Sequence, residues 1–446
     1  MTPSLPPGPR LPAILQGLQF VLRPTGFVDD CRRRYGDPFT LRVPVSGSVV
    51  LFSHPDAVRE IFTGDADALR AGEANTILGP ILGGSSLLLL DGPRHLRERR
   101  MMLPSFHGER MLAYGAVMRD VTAAAIAHWP TGQPFPVLTE TQAITLDVIV
   151  RTVFGVTDPA RAAHLTDRLR RFVAIAVNPL YLWPRLQLDL GPWSPWGRFV
   201  RLRGEIDALL DAEIAAHRSA GDPAADDVLA LLLEARDEDG KPMADADLRD
   251  QLVTLLMAGH ETTATALAWT LHRILTEPGV EQRLRDELTA VTGGRPVEPA
   301  DVARLEYLDG VVKETLRLNP VIPDVMRILT APTRIGGLDL PAGIGVAPNI
   351  HAAHRRPDVW PDPERFDPER FIGTRPNPYA FFPFGGGVRR CLGMAFALYE
   401  MKMVLATVLA RAEIALAPGY GIRVVRRNVT WAPSEGMPIV LTRRAA

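Results

Sequence analysis

The chain has 446 residues, 46 % of them hydrophobic and 23 % charged, and its 50 Lys+Arg against 51 Asp+Glu leave a formal net charge of -1. That is enough apolar material for a large core, with no basic excess that would argue for nucleic acid. Two cysteines, Cys31 and Cys391, are too few for a disulfide framework. The start resembles no signal peptide and no apolar run approaches the roughly 20 residues of a bilayer span, so a cytoplasmic protein with free thiols and no transmembrane anchor is expected.

A Pro-rich start leads into alternating residues at "PFTLRVPVSGSVVLF", a strand signal bounded by Pro and Gly. Farther on, "GERMLAYGAVMRDVTAAAIAHW", "RLRGEIDALLDAEIAAHR" and "VEQRLRDELTAVT" repeat apolar residues at i, i+3, i+4 and i+7, the stripe of helices packed on a core. Between the last two, "DQLVTLLMAGHETTATALAW" is apolar on every side, as a buried helix is, except at Gly259, His260, Glu261, Thr262 and Thr263. A mid-helix Gly costs about 1 kcal/mol relative to Ala, and a Thr hydroxyl bonded one turn back bends a helix. A kinked helix with a polar centre is therefore predicted. Short strands are predicted within "TRIGGLDLPAGIGVAP", "GIRVVRRNVTWA" and "MPIVLTRR". The expected fold class is mainly α with small β-sheets, with residues 1–446 forming one domain.

Chemistry concentrates in four places. In "FGGGVRRCLG" a cysteine follows three glycines and two arginines and precedes an apolar helical pattern predicted to begin at Cys391 itself. A thiolate ligand needs nearby cations, backbone N–H donors or a helix N-terminus to stay deprotonated, and glycines let backbone approach a flat ligand closely. A buried free cysteine acting as a small hydrophobe is the other reading. The polar centre of the long helix is the second place; there His260 alone reads as an ordinary helix histidine. In "KETLRLNP" Glu314 and Arg317 stand three apart on one helix face, worth only about 0.2–0.5 kcal/mol if exposed. In "DGPRHLRERRMMLPSFH" the basic run reads as a solvated face, or else as a pair, His95 and Arg99 four apart, with the spacing to reach one carboxylate-bearing ligand.

Together these segments resemble the cytochrome P-450 family. "FGGGVRRCLG" fits the pattern F-x-x-G-x-R-x-C-x-G, which implies Cys391 as axial thiolate of a haem b and Phe384, Arg389 and Gly393 as cofactor-binding residues, Arg389 toward a propionate. "GPRHLRER" and "PDVMRILT" imply further propionate partners in His95, Arg99 and Arg327. "AGHETT" is similar to the family's oxygen-activating segment, with Glu261 and Thr262 as an acid and alcohol pair. "ETLR" matches E-x-x-R, and "FDPERF" supplies the arginine that completes a triad with Glu314 and Arg317; Arg365 and Arg370 both qualify formally, and spacing favours Arg370.

The resemblance further implies a haem seated between the long central helix and the Cys loop. The family's Cys thiolate is known for pushing electron density toward O–O cleavage. Insertion of one oxygen atom into a hydrophobic substrate is implied, such as hydroxylation or epoxidation of a fatty acid, terpenoid, steroid or macrolide-like compound. The implied pocket is lined by Ile77, Leu78, Leu87, Met257, Ala258, Ile322, Val325 and Met437, with "NPLYLWPRLQLDLGPWSPW" in the access region. No flavin or nicotinamide fingerprint occurs, so electrons from NAD(P)H are expected through a separate reductase with a ferredoxin or flavodoxin, attracted by Arg97, Arg100, Arg390 and Lys402. A monomer is expected. A peroxide-using or isomerising haem-thiolate enzyme and a non-catalytic haem sensor are the alternatives.

Overall fold

The computed structural model describes residues 5–44, 47–108, 110–156, 158–176, 187–220 and 226–444. Helices dominate. Those used below are α1 (Ala13–Leu22), α2 (Pro24–Tyr35), α3 (Gly92–Met102), α4 (Val137–Thr152), α5 (Asp245–Thr276), α6 (Glu306–Leu318) and α7 (Met394–Arg411). The five-stranded sheet is built from β1 (Phe39–Val43), β2 (Gly47–Phe52), β3 (Leu69–Arg70), β4 (Arg327–Leu329) and β5 (Gly345–Pro348) in the order β1-β2-β5-β4-β3. Its β2–β5 pair is parallel and its other pairs antiparallel. Val424–Arg427 and Thr430–Pro433 form a separate hairpin.

The largest core cluster surrounds α5, whose Leu248, Leu252, Val253, Leu256, Leu267 and Ala268 are wholly buried and pack with side chains of α4, α6 and α7. Asp245 and Asp247 in its first turn complement the helix dipole. The helix is continuous for 32 residues, so its polar centre does not break it, and the Thr262 hydroxyl donates to the Ala258 carbonyl one turn back at 2.6 Å.

A difference from the sequence reading concerns α7, which begins at Met394 and not at Cys391. The Cys391 N–H donates to the Phe384 carbonyl at 2.9 Å and closes a loop, so the cysteine precedes the helix and Gly393 stands at its N-cap. Of the access-region stretch, residues 178–186 lie outside the described residues; beyond them Leu188, Leu190 and Trp193 are exposed and Trp196 packs against Phe199.

Candidate active site

The Cys loop lies hard against the helix Pro55–Thr63. A Cβ on Gly386 would stand 2.2 Å from the Phe62 ring, and one on Gly387, whose φ is +63°, would stand 2.0 Å from the Phe62 carbonyl oxygen. Only glycine fits both positions. Gly393 differs: a Cβ there would meet no atom within 4 Å, so the backbone beside the thiol borders open space. Cys391 is accessible to solvent here, although protein atoms crowd around it. Burial pushes its thiol above the ordinary value, while the Gly393 N–H, Arg99 and Arg390 favour the thiolate.

Next to the loop lies a cluster of basic side chains, three arginines and one histidine. His95 and Arg99 are one turn apart on α3, Arg327 starts β4 in the sheet, and Arg389 comes from the loop itself. His95 is buried and its pKa falls to about 4, first through burial and then through Arg389 and Arg99. Arg327 is buried as well, and burial with the like charge of Arg389 lowers it to about 10. Its guanidinium donates to the Met326 carbonyl at 2.9 Å. Among the described residues the one carboxylate that bears on His95, Arg327 and Arg389 is Asp91. Asp91 is already engaged by the Gly72 N–H at 2.8 Å, the Glu73 N–H at 2.9 Å and the Arg389 guanidinium. His95, Arg327, Arg389 and Asp91 line a cavity of about 170 Å³.

This donor set fits a haem. No group of three or more His, Cys, Asp or Glu side chains able to hold a metal ion occurs among the described residues, and a lone thiolate holds a metal that brings other ligands with it. The buried, undercompensated cations suit anionic propionates, since buried charge is stable only when paired.

The segment 85–91 ties this cluster to the central helix. Arg389 donates to the carbonyls of Leu87, at 3.1 Å, and Leu90. From the other side Gln251 of α5 accepts the Leu87 N–H at 3.0 Å and donates to the Ser85 carbonyl at 2.6 Å, while Thr254 bonds Ser86 at 2.7 Å. Asp91, Gln251 and Thr254 were missed in the sequence reading. The Asp directly before "GPRHL" was the one available signal, in the helix N-cap position.

On α5, Met257 and Thr262 are half-buried and Ala258 is exposed in the middle of an otherwise buried helix. Ala258 and Thr262 share a face by their i, i+4 spacing, and this face is the least buried part of the helix centre. Glu261 turns elsewhere. It accepts a hydrogen bond from Gln142 of α4 and pairs at 3.3 Å with Arg427 of the C-terminal hairpin, without hydrogen-bond alignment. Burial raises its pKa against the pull of Arg427 and Gln142. No hydrogen bond joins Glu261 to Thr262, so the structure does not bring the predicted acid and alcohol together. Gln142 and Arg427 carried no sequence signal, because nothing local marks residues that meet Glu261 only through tertiary packing.

Of the predicted pocket residues, Ile77, Leu78, Ile322 and Val325 are half-buried on loops or short turns, Val325 lying 3.9 Å from a Cβ built on Gly385, and Leu87 is buried. Met437 must be corrected. It is fully buried in the main core and its carbonyl accepts the Val137 N–H at 3.1 Å, so it presents no surface to a substrate.

Glu314 and Arg317 on α6 are both wholly buried. Arg317 grips Glu314 with two hydrogen bonds of 2.6 and 2.7 Å and donates to the carbonyls of His354, Pro363 and Arg365. Glu314 also accepts the Asp367 N–H at 2.8 Å and pairs with Arg370 at 3.5 Å. Arg370, not Arg365, brings its side chain to the pair; the Arg365 side chain is exposed. The predicted basic surface is weaker than the sequence suggested. Arg97 pairs with Glu98, Arg100 with Glu238 and Lys402 with Asp309, while Arg390 reaches the Met394 sulfur.

An accessible cysteine in a glycine-bounded loop, next to buried basic side chains that share a single carboxylate, is the donor set of a haem-thiolate protein. Comparison with known proteins agrees. The cytochrome P450 family model matches residues 5–438. A protein designated cytochrome P450 135B1 of Mycobacterium bovis is 42 % identical over 450 residues, covering 98 % of this chain and 91 % of the relative. Cytochrome P450 135A1 of Mycobacterium tuberculosis is 39 % identical over 439 residues, covering 98 % and 95 %. Among solved structures, a retinoic acid-bound cyanobacterial CYP120A1 superposes with a TM-score of 0.85 at 27 % identity over 100 % of both chains. A cytochrome P450DA heme domain gives 0.86 at 25 % identity over 99 % of this chain and 98 % of that one. The chain belongs to the cytochrome P450 family, and it is a P450-type monooxygenase.

Proposed function

We propose that residues 1–446 act as one haem domain that inserts an oxygen atom into an extended apolar substrate. The observation that carries this is the solvent-accessible Cys391, with Arg99 near its thiol and a group of buried basic side chains that share the single carboxylate of Asp91. Cys391 would ligate haem b, with Phe384 and Gly393 bordering the ring and His95, Arg99, Arg327 and Arg389 holding the propionates. When bound, the haem supplies the oxygen-activating chemistry, tuned by its thiolate ligand.

The chain's own residues do the rest. Neutral His95 would donate one N–H to a propionate, and Arg327 and Arg389 would fix the orientation of the haem through charge-assisted bonds. Thr262 holds a hydroxyl on the least buried face of the α5 centre, positioned to pass a proton. Glu261, with its proton affinity raised by burial, serves as the reservoir behind it. A proton moves between them only if Glu261 leaves Arg427 or a water bridges the gap. Ile77, Leu78, Leu87, Met257, Ala258, Ile322 and Val325 exclude water and give no charged contact, which supports a hydroxylated or epoxidised fatty acid, terpenoid, steroid or macrolide-like compound. The retinoic acid in the cyanobacterial relative is of this extended apolar kind.

Electrons are proposed to come from NAD(P)H through a ferredoxin or flavodoxin and its reductase, meeting a monomer in the cytoplasm near Arg390. The test is a screen of these compound classes by Soret shift, followed by turnover with a surrogate ferredoxin and reductase. A product heavier by one oxygen atom supports the reading. Product formed equally well from peroxide alone, without reductase, would favour the peroxide-using alternative.

A further inference from the structure

A large apolar face lies open on α1, apart from the haem site. The segment "AILQGLQFVL" contains no charged residue. Its inner side is pinned to the protein. Gln16, buried, donates to the Pro9 and Leu11 carbonyls at 3.0 and 2.7 Å and accepts the Arg42 N–H at 2.9 Å, and Phe20 packs on Trp431. The other side is uncovered: Ile14 is 70 %, Leu18 50 %, Val21 48 % and Leu22 68 % exposed, with Leu11 and Leu15 next to them. These follow the i, i+3, i+4, i+7 spacing of a single stripe.

Arginines flank the stripe. Arg10 precedes α1 and Arg23 follows it, while Arg42 on β1 and Arg426, 5.0 Å from the Phe20 ring centroid, stand toward the inner side of the helix. The first 50 residues hold six arginines and three aspartates, an excess of +3 in a chain whose net charge is -1. Of those aspartates, Asp37 turns inward to Arg356 and Asp29 to His351, leaving Asp30 with Arg23 and Arg33. Among the described residues, Arg10, Arg32, Arg34 and Arg42 have no carboxylate partner. No helix among the described residues is long and apolar enough to cross a membrane.

We propose that this face rests on an anionic lipid bilayer, with α1 lying in the interface, Ile14, Leu18 and Leu22 among the acyl chains and the flanking arginines on headgroup phosphates. An uncharged stripe with arginines beyond both of its ends complements an anionic surface with an apolar interior. A second copy of the chain does not offer this match, because a two-fold contact sets the same arginines against each other. The inference stands independently of the substrate reading. It places the protein where an apolar substrate dissolves.

The test is co-sedimentation of the haem-loaded protein with vesicles of phosphatidylglycerol and phosphatidylcholine, against pure phosphatidylcholine. Wild type is expected to bind the anionic vesicles, weakly at high salt. Combining Ile14→Ser, Leu18→Ser and Leu22→Ser removes exposed side chains only and is expected to lower partitioning about 100-fold, with the absorption spectrum and melting temperature unchanged. Arg10→Ser, which removes an unpaired cation, is expected to lower it about fivefold at low salt. Failure of wild type to bind anionic vesicles, or equal binding by the triple variant, overturns the proposal. A concentration-dependent dimer that the triple variant abolishes, with no vesicle binding, assigns the face to a second copy.

Discussion

Glu314→Ala should destabilise the fold more than any surface substitution. The carboxylate accepts two hydrogen bonds from Arg317 and one from the Asp367 amide, and all its surroundings are buried. Removing it leaves a buried guanidinium without its counter-charge, which costs about 3–5 kcal/mol. The Asp367 amide without an acceptor adds about 1–3 kcal/mol. Arg317 keeps the carbonyls of His354, Pro363 and Arg365 and the face of Trp360, so the lower part of the range is expected. At about 2.1 cal/mol/K of unfolding entropy per residue, 4 kcal/mol lowers the melting temperature of this chain by about 4 °C. The assay is thermal unfolding with haem content measured alongside. Arg365→Ala, truncating an exposed side chain, should stay within about 0.5 kcal/mol of wild type. An unshifted melting temperature and full haem content in Glu314→Ala would refute the reasoning.

Gly387→Ala drives a Cβ into the Phe62 carbonyl and should lose haem together with melting temperature, whereas Gly393→Ala meets no protein atom and should lose haem affinity alone, as read by haem titration and apoprotein melting; equal behaviour of the two would count against open space beside the thiol. Thr262→Ala should keep the thiolate spectrum and substrate-induced spin shift but lower product formed per NAD(P)H oxidised, by up to the 10²–10⁴-fold typical of a positioned proton donor. Arg427→Gln should alter the pH profile of that coupling by freeing Glu261; unchanged coupling in both variants would remove the pair from the relay. Burial lowers the pKa of His260 and of His272 from 6.5 to about 4, so both favour folding in their neutral form. Their contribution is complete above pH 6.5 and is lost as pH falls toward about 4. Combining His260→Gln with His272→Gln should flatten the fall in melting temperature across that window, and a slope matching wild type would show that both titrate normally.

The parts of the site that the sequence disclosed are those carried by contiguous residues. The Cys loop is one ten-residue run, and Gly386 and Gly387 are there because Phe62 leaves room for nothing larger. The strands at 39–52 and the helix Val280–Thr292 follow directly from alternation and from the helical stripe. The start of α7 was misplaced because its apolar periodicity continues backward through Cys391, while the loop-closing bond to Phe384 leaves no trace in composition. Glu261 looked like a partner of Thr262 because they are adjacent in sequence, yet adjacent helix residues point about 100° apart, and its actual partners come from α4 and the C-terminal hairpin. Met437 was placed in the pocket from its loop alone, and the tight turn around it folds the side chain into the core. The same limit applies to Arg97, Arg100 and Lys402, whose neutralising carboxylates are remote or were not weighed beside them.

The most direct measurement is the absorption spectrum of the reduced, carbon monoxide-treated protein, compared between wild type, Cys31→Ser and Cys391→Ser. Wild type and Cys31→Ser should both show the red-shifted Soret band of thiolate-ligated haem, because Cys31 is buried among Phe27, Val28 and Phe39. Cys391→Ser should lose that band while haem still binds through the His95, Arg99, Arg327 and Arg389 cluster. A Cys391→Ser protein that keeps the red-shifted band would contradict Cys391 as the ligand and, with it, the active site described above.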